Sequence, residues 1–517
     1  MTRGGAARAV RVLRGAQAAA LDEEAAAAGI PSRALMQRAG AAAATEIVRR
    51  LPHLVGHGLL IYTGAGNNGG DGWVLARALA TVGVRVAVTE VAPSNTEDAR
   101  AERELARPLV ASGASGSERI VVDALLGTGT RGAPRGNIAT AIDAIGAARA
   151  KGSTVVSLDI PSGVDADTGD ASIAVRADLT LTFAALKRGL LAARSRSGTI
   201  VVLDIGLGEG DAPSPELVRE QWVRDRVPSL GAEAHKGTRK RMAIVGGGGG
   251  MAGASMLVAR SAMRSGIGLV RLVVPREALA VVQSAEPHAL AHAWPTEGDG
   301  REAIRKTLGE WADVVVLGPG LGNTDETRAL ARSVLSEWRG PVVIDADGLN
   351  VFAGDVKALG RLCAGRPALV TPHVGEAARL LEADTGAVLR DRYDAALRLA
   401  KATNAAVLLK GVPTILAARD GRMMVSATGT PALAVGGSGD ILAGIAGTLL
   451  VQAEDPLVAG ACAAWVHGRA GEIATRGRAP RGVSLARVME SLELAWSFSP
   501  PPPSYPAILE LPAVSES

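Results

Sequence analysis

Aromatic side chains are scarce in this sequence: only 3% of its 517 residues are Phe, Trp or Tyr. A groove for nucleic acid needs a basic stripe with aromatic side chains on which bases stack. The formal net charge is only +4, because 56 basic residues are matched by 52 acidic ones. The composition therefore argues against a nucleic-acid partner.

Cysteine and long apolar runs are also rare. The two cysteines, Cys363 and Cys462, form no metal-binding or redox spacing, so we expect reduced core residues. No apolar run approaches the roughly 18 residues of a membrane-spanning helix. We therefore expect a protein of the reducing cytoplasm that has no membrane partner.

Glycine and alanine, by contrast, are abundant, and a chain of this length exceeds one hydrophobic core. Short apolar runs that end at polar or glycine turns alternate with helical runs, which is typical of a doubly wound parallel sheet. We predict an α/β protein with a first domain at 1–212, a second at 216–497 and a Pro-rich, disordered tail at 498–517. The predicted strands are 59–62, 84–88, 120–123, 154–159, 179–183 and 199–204, then 242–245, 314–317, 342–344, 368–371 and 407–409.

A glycine-rich turn, GAGNNGGDG at 64–72, follows the first of these strands and precedes a helix predicted at 71–81. Free N–H groups at a helix start favour a phosphate, and with Glu90 after the next strand a dinucleotide-binding enzyme is one hypothesis. The amides of Asn67 and Asn68 and the carboxylate of Asp71 are unusual in such a turn. Asn68, Asp123 and Ser162 all follow strands, and their oxygens suit a hard cation. The alternative is that such side chains cap helices and turns.

Three motifs in this half, GAGNNGGDG, DALLGTGTRG and DIPSGVDADTG, resemble the NAD(P)HX epimerase family, whose domain is Rossmann-like, over about 10–210. The resemblance implies epimerisation at C6 of a hydrated nicotinamide nucleotide, with a potassium ion held by Asn68, Asp123 and Ser162. It implies substrate binding by Asn67, Asn68, Gly69, Gly70, Asp71, Gly127, Thr128, Gly129, Thr130, Arg131, Gly132, Ala133 and Asp159. Asp159 is a carboxylate that can move the proton needed to open and reclose the C6 hemiaminal. Lys187 is either its electrostatic partner or, as is commoner, a solvated lysine.

A second turn, GGSGD at 436–440, precedes a helix predicted at 441–450. Its N–H groups can hold a transferring phosphoryl group, and Asp440 is placed to take a proton from an attacking hydroxyl. The alternative is a glycine-rich helix start capped by Asp440. Lys410 to Thr414 and His373 follow other strands, where they can meet a ligand.

This second set, with GPGLG, DADGLN, TPHVGE and LKGVPT, resembles the ribokinase-like ADP/ATP-dependent NAD(P)HX dehydratases over about 216–496. The resemblance implies an α/β/α sandwich and nucleotide-driven dehydration of the S-hydrate of NADH or NADPH, with Mg²⁺ accompanying ADP or ATP and with AMP and phosphate as the products from ADP. Asp440 is the implied catalytic base. The implied substrate contacts are Ala254, Gly322, His373 and Asp440, and the implied nucleotide contacts are Lys410, Gly411, Val412, Pro413, Thr414 and Gly439.

The chain departs from that family's pattern at three places. Lys240 stands where the family has glycine, Val374 where it has proline, and the segment at 429–435 differs from the family's usual residues. The combined prediction is a bifunctional lyase and isomerase that repairs nicotinamide nucleotides, as a homo-oligomer. The competing hypotheses are a ribokinase-like small-molecule kinase and an N-terminal half that only senses nucleotides.

Overall fold

Short runs of β-branched and leucine side chains form the central strands in both halves of the chain. The computed structural model describes residues 9–208, 213–295, 300–453, 455–498 and 503–514. Two units result: the first contains the residues up to Glu216 and a C-terminal segment that ends at Val514, and the second begins at Leu217.

The first unit contains a parallel sheet. Its strands are β1 (Val12–Leu13), β2 (Leu59–Thr63), β3 (Val86–Glu90), β4 (Ala111–Ser112), β5 (Ile120–Ala124), β6 (Thr154–Leu158), β7 (Leu179–Phe183), β8 (Leu186–Lys187) and β9 (Thr199–Leu203). Its helices are α1 (Gly15–Ala27), α2 (Ser32–Arg50), α3 (Pro52–Val55), α4 (Asn67–Thr81), α5 (Glu97–Ala106), α6 (Gly136–Ala150), α7 (Arg188–Ala192) and α8 (Arg194–Ser197). The main sheet has the order β9-β7-β6-β5-β2-β3-β4 with all neighbours parallel, and β1 pairs separately with β8.

Helices cover both faces of this sheet, because alternate strand residues point to opposite sides. Val122 packs in the same core as Ile47 of α2 and Leu75 of α4. Its neighbour Val121 packs with Ile142 of α6. The chain reaches β3 from one side of β2 and later returns to place β5 on the other, so the topological switch point, where such sheets bind ligands, lies between β2 and β5.

The second unit also contains a mostly parallel sheet. Its strands are β10 (Glu216–Leu217), β11 (Arg241–Val245), β12 (Leu269–Val274), β13 (Leu290–Ala293), β14 (Val314–Leu317), β15 (Val342–Ile344), β16 (Ala368–Val370), β17 (Ala406–Leu409), β18 (Thr414–Ala417) and β19 (Met423–Ser426). Its helices are α9 (Glu220–Arg224), α10 (Ala252–Arg264), α11 (Leu279–Ala285), α12 (Gly300–Ile304), α13 (Asp325–Glu337), α14 (Asp347–Asn350), α15 (Val356–Cys363), α16 (Val374–Leu381), α17 (Thr385–Arg390), α18 (Arg392–Thr403), α19 (Ser438–Gln452), α20 (Pro456–Thr475) and α21 (Leu485–Ala495). The sheet order is β13-β12-β11-β14-β15-β16-β17-β18-β19-β10. The pairs from β13 to β17 are parallel, whereas β18 pairs antiparallel with both β17 and β19. Its switch point lies between β11 and β14.

The predicted strands are all present, but two helices begin earlier than predicted. Helix α4 begins at Asn67 rather than at residue 71, and α19 begins at Ser438 rather than at 441. The first turns of these helices consist of glycine and polar residues, so no apolar periodicity marks them as helical in the sequence. The two glycine-rich motifs are therefore themselves helix N-termini.

The prediction of a disordered tail is wrong for part of 498–517. Strand β20 (Ala507–Leu511) pairs antiparallel with β9 and becomes the eighth strand of the first sheet. Ala507 and Leu509 are buried, and Glu510 forms an ion pair of 2.9 Å with Arg50. The free edge of β9 explains why this segment is ordered. Residues 499–502 and 515–517 of the predicted tail lie outside the described residues.

Within the described ranges, no helix combines the length and apolarity that a membrane crossing requires.

Leu509→Ala tests the contribution of β20. We expect it to lower the free energy of unfolding of the first unit by about 2–3 kcal/mol, because it removes a buried side chain from a packed core. The matched control is Leu494→Ala, since Leu494 is 60% exposed, and it should change stability by no more than about 0.5 kcal/mol. Equal effects of the two substitutions in denaturant unfolding would contradict a packed β20.

Two candidate active sites

A cleft of about 590 Å³ lies at the switch point of the first sheet. The loops after β2, β5 and β6 form its polar side, and α1 and α2 supply apolar side chains such as Leu21, Leu35 and Met36. A cleft with one apolar wall and a few convergent polar groups is typical of a small-molecule site.

Asp159 and Lys187 form a buried ion pair in this cleft. Lys187 is 3% exposed. Its ammonium contacts Oδ1 of Asp159 and donates to Thr182 Oγ1 at 3.0 Å and to the Phe183 carbonyl at 3.1 Å. The interpretation of Lys187 as a solvated lysine is therefore wrong. Asp159 also has a φ of +61°, in the left-handed region that non-glycine residues adopt mainly where function or packing demands it.

Two further carboxyl groups share the cleft with this pair. Burial raises the pKa of Asp71 well above its ordinary value, and the charges of Asp159 and Asp22 raise it further. Desolvation in the cleft also raises the pKa of Asp22, although Lys187 opposes the shift. Asp22 lies on α1, and our sequence analysis missed it because nothing near it in the chain resembles a motif. With one ammonium for three carboxyl groups, the cleft favours a proton on Asp71.

The three proposed cation ligands are linked through Leu126 at the edge of the cleft, where Asn68 is a lining residue and Leu126 N donates to Ser162 Oγ at 2.9 Å. Both oxygens of the fully buried Asp123 accept hydrogen bonds, from Ser162 N at 2.8 Å, Ser162 Oγ at 2.5 Å and Ser157 Oγ at 2.8 Å among others. Burial nevertheless raises the pKa of Asp123. Asn68 donates to the Leu126 carbonyl at 3.0 Å, and its Oδ1 is buried with no hydrogen-bond partner. An orphaned buried acceptor of this kind is what a cation site would leave.

The structure divides the other predicted contacts of the first cleft between several places. Asn67, Asn68, Asp71, Gly127, Thr128, Gly129 and Thr130 line it. Gly132 and Ala133 instead line an adjoining cavity of about 430 Å³, which shares Gly127 and Thr130 with the cleft. Gly69 and Gly70 are buried in the first turn of α4, and Arg131 forms ion pairs with Asp165 and Asp167. Glu90, whose position supported the dinucleotide-binding hypothesis, forms an ion pair of 2.8 Å with Arg103.

The second candidate site surrounds the N-terminus of α19. Lys410 Nζ lies 2.8 Å from Asp345 Oδ1 and 3.9 Å from Glu376 Oε2. A Cβ placed on Gly439 would lie 3.4 Å from the same Nζ and 3.7 Å from Asp345 Oδ2. The glycine-rich turn therefore lies directly against this buried ion pair.

Asp440 has the electrostatics of a general base. Burial and the charge of Asp345 raise the pKa of Asp440 to about 6, although Lys410 opposes the shift. Burial likewise raises the pKa of Glu376, a residue that sequence reasoning did not single out. Burial alone would lower the pKa of Lys410, but Asp345 and Glu376 outweigh it and raise that pKa. A base whose pKa lies just below neutrality suits proton transfer at physiological pH.

The other predicted contacts occupy the ends of neighbouring strands. His373 caps α16: its Nδ1 accepts from Gly375 N at 2.9 Å, and its half-exposed ring places Nε2 3.5 Å from Glu376 Oε1. Gly322 N donates to Asp347 at 2.8 Å, and Ala254 lies in the first turn of α10, against which Gly320 packs.

The segment from Lys410 to Thr414 runs from the buried ion pair to the surface. Lys410 is paired as above, whereas Val412 is 67% exposed. Arg392 donates to the Val412 carbonyl at 2.8 Å, and Thr414 Oγ1 donates to the Gly411 carbonyl at 3.2 Å. The exposed part of the segment is thus free to meet a ligand while its backbone is held in place.

Lys240 shows why its position favours glycine. Its φ is +72°, in the left-handed region where a side chain is strained. Lys240 therefore adopts a backbone conformation that glycine would adopt without strain.

Two family models match the chain. One, described as YjeF-related protein N-terminus, matches residues 32–189, and the other, described as NAD(P)H-hydrate dehydratase, matches residues 242–493.

Curated relatives match along most of the chain. A bifunctional NAD(P)H-hydrate repair enzyme from Moorella thermoacetica is 35% identical over 492 residues, which cover 90% of this chain and 92% of that protein. Enzymes of the same name from Escherichia coli and Salinibacter ruber are 36% and 37% identical, covering 90% and 86% of this chain and 90% and 88% of their own. Among solved structures, an ADP/ATP-dependent NAD(P)H-hydrate dehydratase from Bacillus subtilis is 28% identical with a TM-score of 0.48, over 55% of this chain and 98% of that one.

Lys410→Met tests the electrostatics of the second site. The substitution leaves Asp345, Glu376 and Asp440 without their cation, so we expect it to lower the free energy of unfolding by about 3–5 kcal/mol at pH 8. The cost should shrink at pH 5.5, because carboxyl groups with raised pKa values take up protons in the folded state as the pH falls. Lys357→Met, on an exposed position of α15, is the control. A loss of the same size at both pH values, measured by denaturant unfolding, would rule out this explanation.

Proposed function

The chain belongs to the bifunctional NAD(P)H-hydrate repair enzymes, and we propose that the first cleft performs the epimerisation and the site at α19 performs the dehydration. The family assignment follows from the two matched family models and from relatives that this chain matches over about nine-tenths of their length. The single observation on which the division of labour depends is that each unit places a buried lysine and several carboxyl groups together beyond the carboxyl ends of its parallel strands.

In the epimerase cleft, Asp159 is our candidate for the group that moves the proton. Opening the C6 hemiaminal removes the proton of the C6 hydroxyl while N1 takes the electron pair of the C6–N1 bond and a proton, which leaves an aldehyde. Closing it by attack of N1 on the other face of that carbonyl loses the N1 proton and returns a proton to the oxygen. Asp159 lies in the cleft with its charge balanced by Lys187, and Asp71 is a neighbouring carboxyl that favours its protonated form. The apolar wall of Leu35 and Met36 suits the uncharged, hydrated nicotinamide ring.

A potassium ion fits the group of Asn68, Asp123 and Ser162. The group combines one carboxylate with neutral oxygens, and it includes the unpartnered Asn68 Oδ1, which suits a hard cation of low charge. When bound, the ion would supply positive charge and fix the loops after β2 and β5. The catalytic proton transfers are assigned to this chain's own carboxyl groups.

In the dehydratase site, the turn at α19 is our candidate for holding the transferring phosphoryl group. Asp440 takes the proton of the C6 hydroxyl while that oxygen forms a bond to the terminal phosphorus of ADP or ATP, and AMP or ADP leaves. The C6–O bond then breaks as the ring nitrogen's electron pair moves toward C6. Phosphate departs, and loss of a proton from C5 restores the reduced nicotinamide ring.

Mg²⁺ is expected to enter with the nucleotide. Asp345, Glu376 and Asp440 carry more negative charge than Lys410 balances, which would repel phosphate groups. Asp345 and Glu376 are carboxylates of the type that Mg²⁺ prefers, so these residues would hold it. The ion would supply charge neutralisation between the phosphates and the site.

His373, Gly322 and Ala254 are proposed to contact the hydrate, and the exposed end of the segment from Lys410 to Thr414 the adenine nucleotide. The half-exposed His373 ring and the exposed Val412 support this assignment. The buried, unpaired Cys363 and Cys462 support a reducing compartment, for which we propose the cytoplasm. Assembly into a homo-oligomer stays a prediction.

The central test uses a mixture of R- and S-NADHX with ADP, Mg²⁺ and K⁺, followed by the return of reduced-nicotinamide absorbance. We expect complete recovery with the wild type and a loss of about 10²-fold or more in rate with Asp440→Asn, which lacks the base. Asp159→Asn should recover only the S-portion quickly. Asp143→Asn, an exposed change on α6, is the control.

The same experiment separates the competing hypotheses. A stable phosphorylated product without recovery of absorbance would favour the small-molecule kinase. Unchanged recovery by Asp159→Asn would favour a first unit that only senses nucleotides.

The dehydration should depend on pH through Asp440. Because burial raises the pKa of Asp440 to about 6, its basic form dominates above that pH and declines about tenfold per pH unit below it. We expect kcat/KM for S-NADHX to fall accordingly between pH 6 and pH 5. A flat profile over this range, with the protein still folded, would exclude Asp440 as the base.

Potassium should stabilise the first unit. We expect a higher melting temperature and faster epimerisation in KCl than in choline chloride at equal ionic strength, because a ligand that binds only the folded state stabilises it. Asn68→Ala should abolish both differences. Identical melting temperatures of the wild type in the two salts would contradict the site.

A further inference from the structure

Helix α20 places a buried histidine against the glycine-rich turn of the second site. His467 Nε2 lies 3.2 Å from Ser438 Oγ, and the two residues are 8% and 5% exposed. Ser438 is the middle residue of GGSGD and the first residue of α19. The mechanism above makes no use of either side chain.

The histidine is neutral under physiological conditions. Burial, together with the charge of Lys410, lowers the pKa of His467 to about 4. In a neutral imidazole one ring nitrogen is a donor and the other an acceptor, so its hydrogen bond with a buried hydroxyl is directional. The contact therefore orients the Ser438 side chain without adding charge to the site.

The backbone around Ser438 explains why its orientation matters. Gly437 precedes the helix with a φ of +92°, and Ile441 N donates to the Gly437 carbonyl at 3.3 Å. Between them, the N–H groups of Gly439 and Asp440 find no acceptor in the described part of the chain. They are the free helix-start donors that an anion would meet.

Helix α20 is itself held against the chain segment that leads into this turn. Thr428 Oγ1 donates to the Trp465 carbonyl at 3.1 Å, and a Cβ on Gly468 would lie only 2.4 Å from that Oγ1. One turn further on, Glu472 accepts from Gly429 N at 3.0 Å. The helix thus has little freedom to shift, so His467 is a fixed support.

We propose that His467 is a positioning residue of the dehydratase site, which acts by holding Ser438 so that the N–H groups of Gly439 and Asp440 point at the transferring phosphoryl group. The same support fixes the backbone position from which the Asp440 side chain extends, because Asp440 lies two residues after Ser438. This inference rests on the proposed assignment of the turn to phosphoryl transfer. It adds a residue that lies 29 positions from its partner and touches neither substrate nor nucleotide.

The test measures dehydration of S-NADHX by His467→Ala, His467→Gln and Ser438→Ala. We expect His467→Ala to lower kcat about tenfold or more, with KM for the hydrate changed less than about threefold, because misdirected donors weaken the transition state most. His467→Gln, whose side-chain amide can reach the same hydroxyl, should restore most of kcat. The double variant His467→Ala/Ser438→Ala should be no slower than the slower single variant, as expected for one shared interaction.

Three comparisons make the result decisive. The epimerisation rate of each variant and its melting temperature report general damage, and His288→Gln, on an exposed histidine of the same unit, is the matched control. A lower melting temperature with unchanged kcat in the folded range, His467→Gln no better than His467→Ala, or additive losses would each overturn the proposal. Asp440→Asn is measured in parallel: if it retains the wild-type rate, the assignment of the turn fails, whatever the histidine variants do.

Discussion

The close approach of two backbone turns at each switch point is the constraint on which both sites depend. A Cβ on Gly64, after β2, would lie 1.8 Å from the Leu125 carbonyl after β5, and one on Gly246, after β11, would lie 2.1 Å from the Pro319 carbonyl after β14. Such distances are far inside van der Waals contact, so only glycine fits. With side chains excluded there, neighbouring strand ends come close enough to bring their polar groups to one place.

Electrostatics give the two sites a common character despite their different reactions. Each has one buried lysine among three carboxyl groups, and in each burial, together with the charge of a neighbouring carboxylate, raises the pKa of one carboxyl group: Asp71 in the first and Asp440 in the second. A carboxyl group whose pKa is raised in this way is suited to exchange a proton with a substrate. Epimerisation needs such a proton to be delivered and removed, and dehydration needs it to be accepted from the C6 hydroxyl. The same balance of charges therefore suits both steps of the proposed division of labour.

Much of the fold was predictable because its signals are local. The strands are short apolar runs that end at polar turns, and the motifs that follow them identify the switch points. The features that were not predicted depend on contacts between distant parts of the chain. Nothing near Lys187 shows that it is buried beside Asp159, and His467 lies in an almost uniformly apolar helix whose sequence does not reveal its partner. The β20 segment is ordered because it pairs with the edge of β9, and the Pro-rich sequence before it gives no sign of that pairing.

The position of β20 also has a consequence for how the protein is made. The strand belongs to the first sheet, yet the ribosome reaches it only after the whole second unit has been synthesised. In topological terms the second unit is an insertion between the body of the first unit and its last strand. During translation the edge of β9 stays open, with unpaired backbone groups that another strand can join. The nascent first unit is therefore exposed to strand exchange with neighbouring chains until the final segment leaves the ribosome.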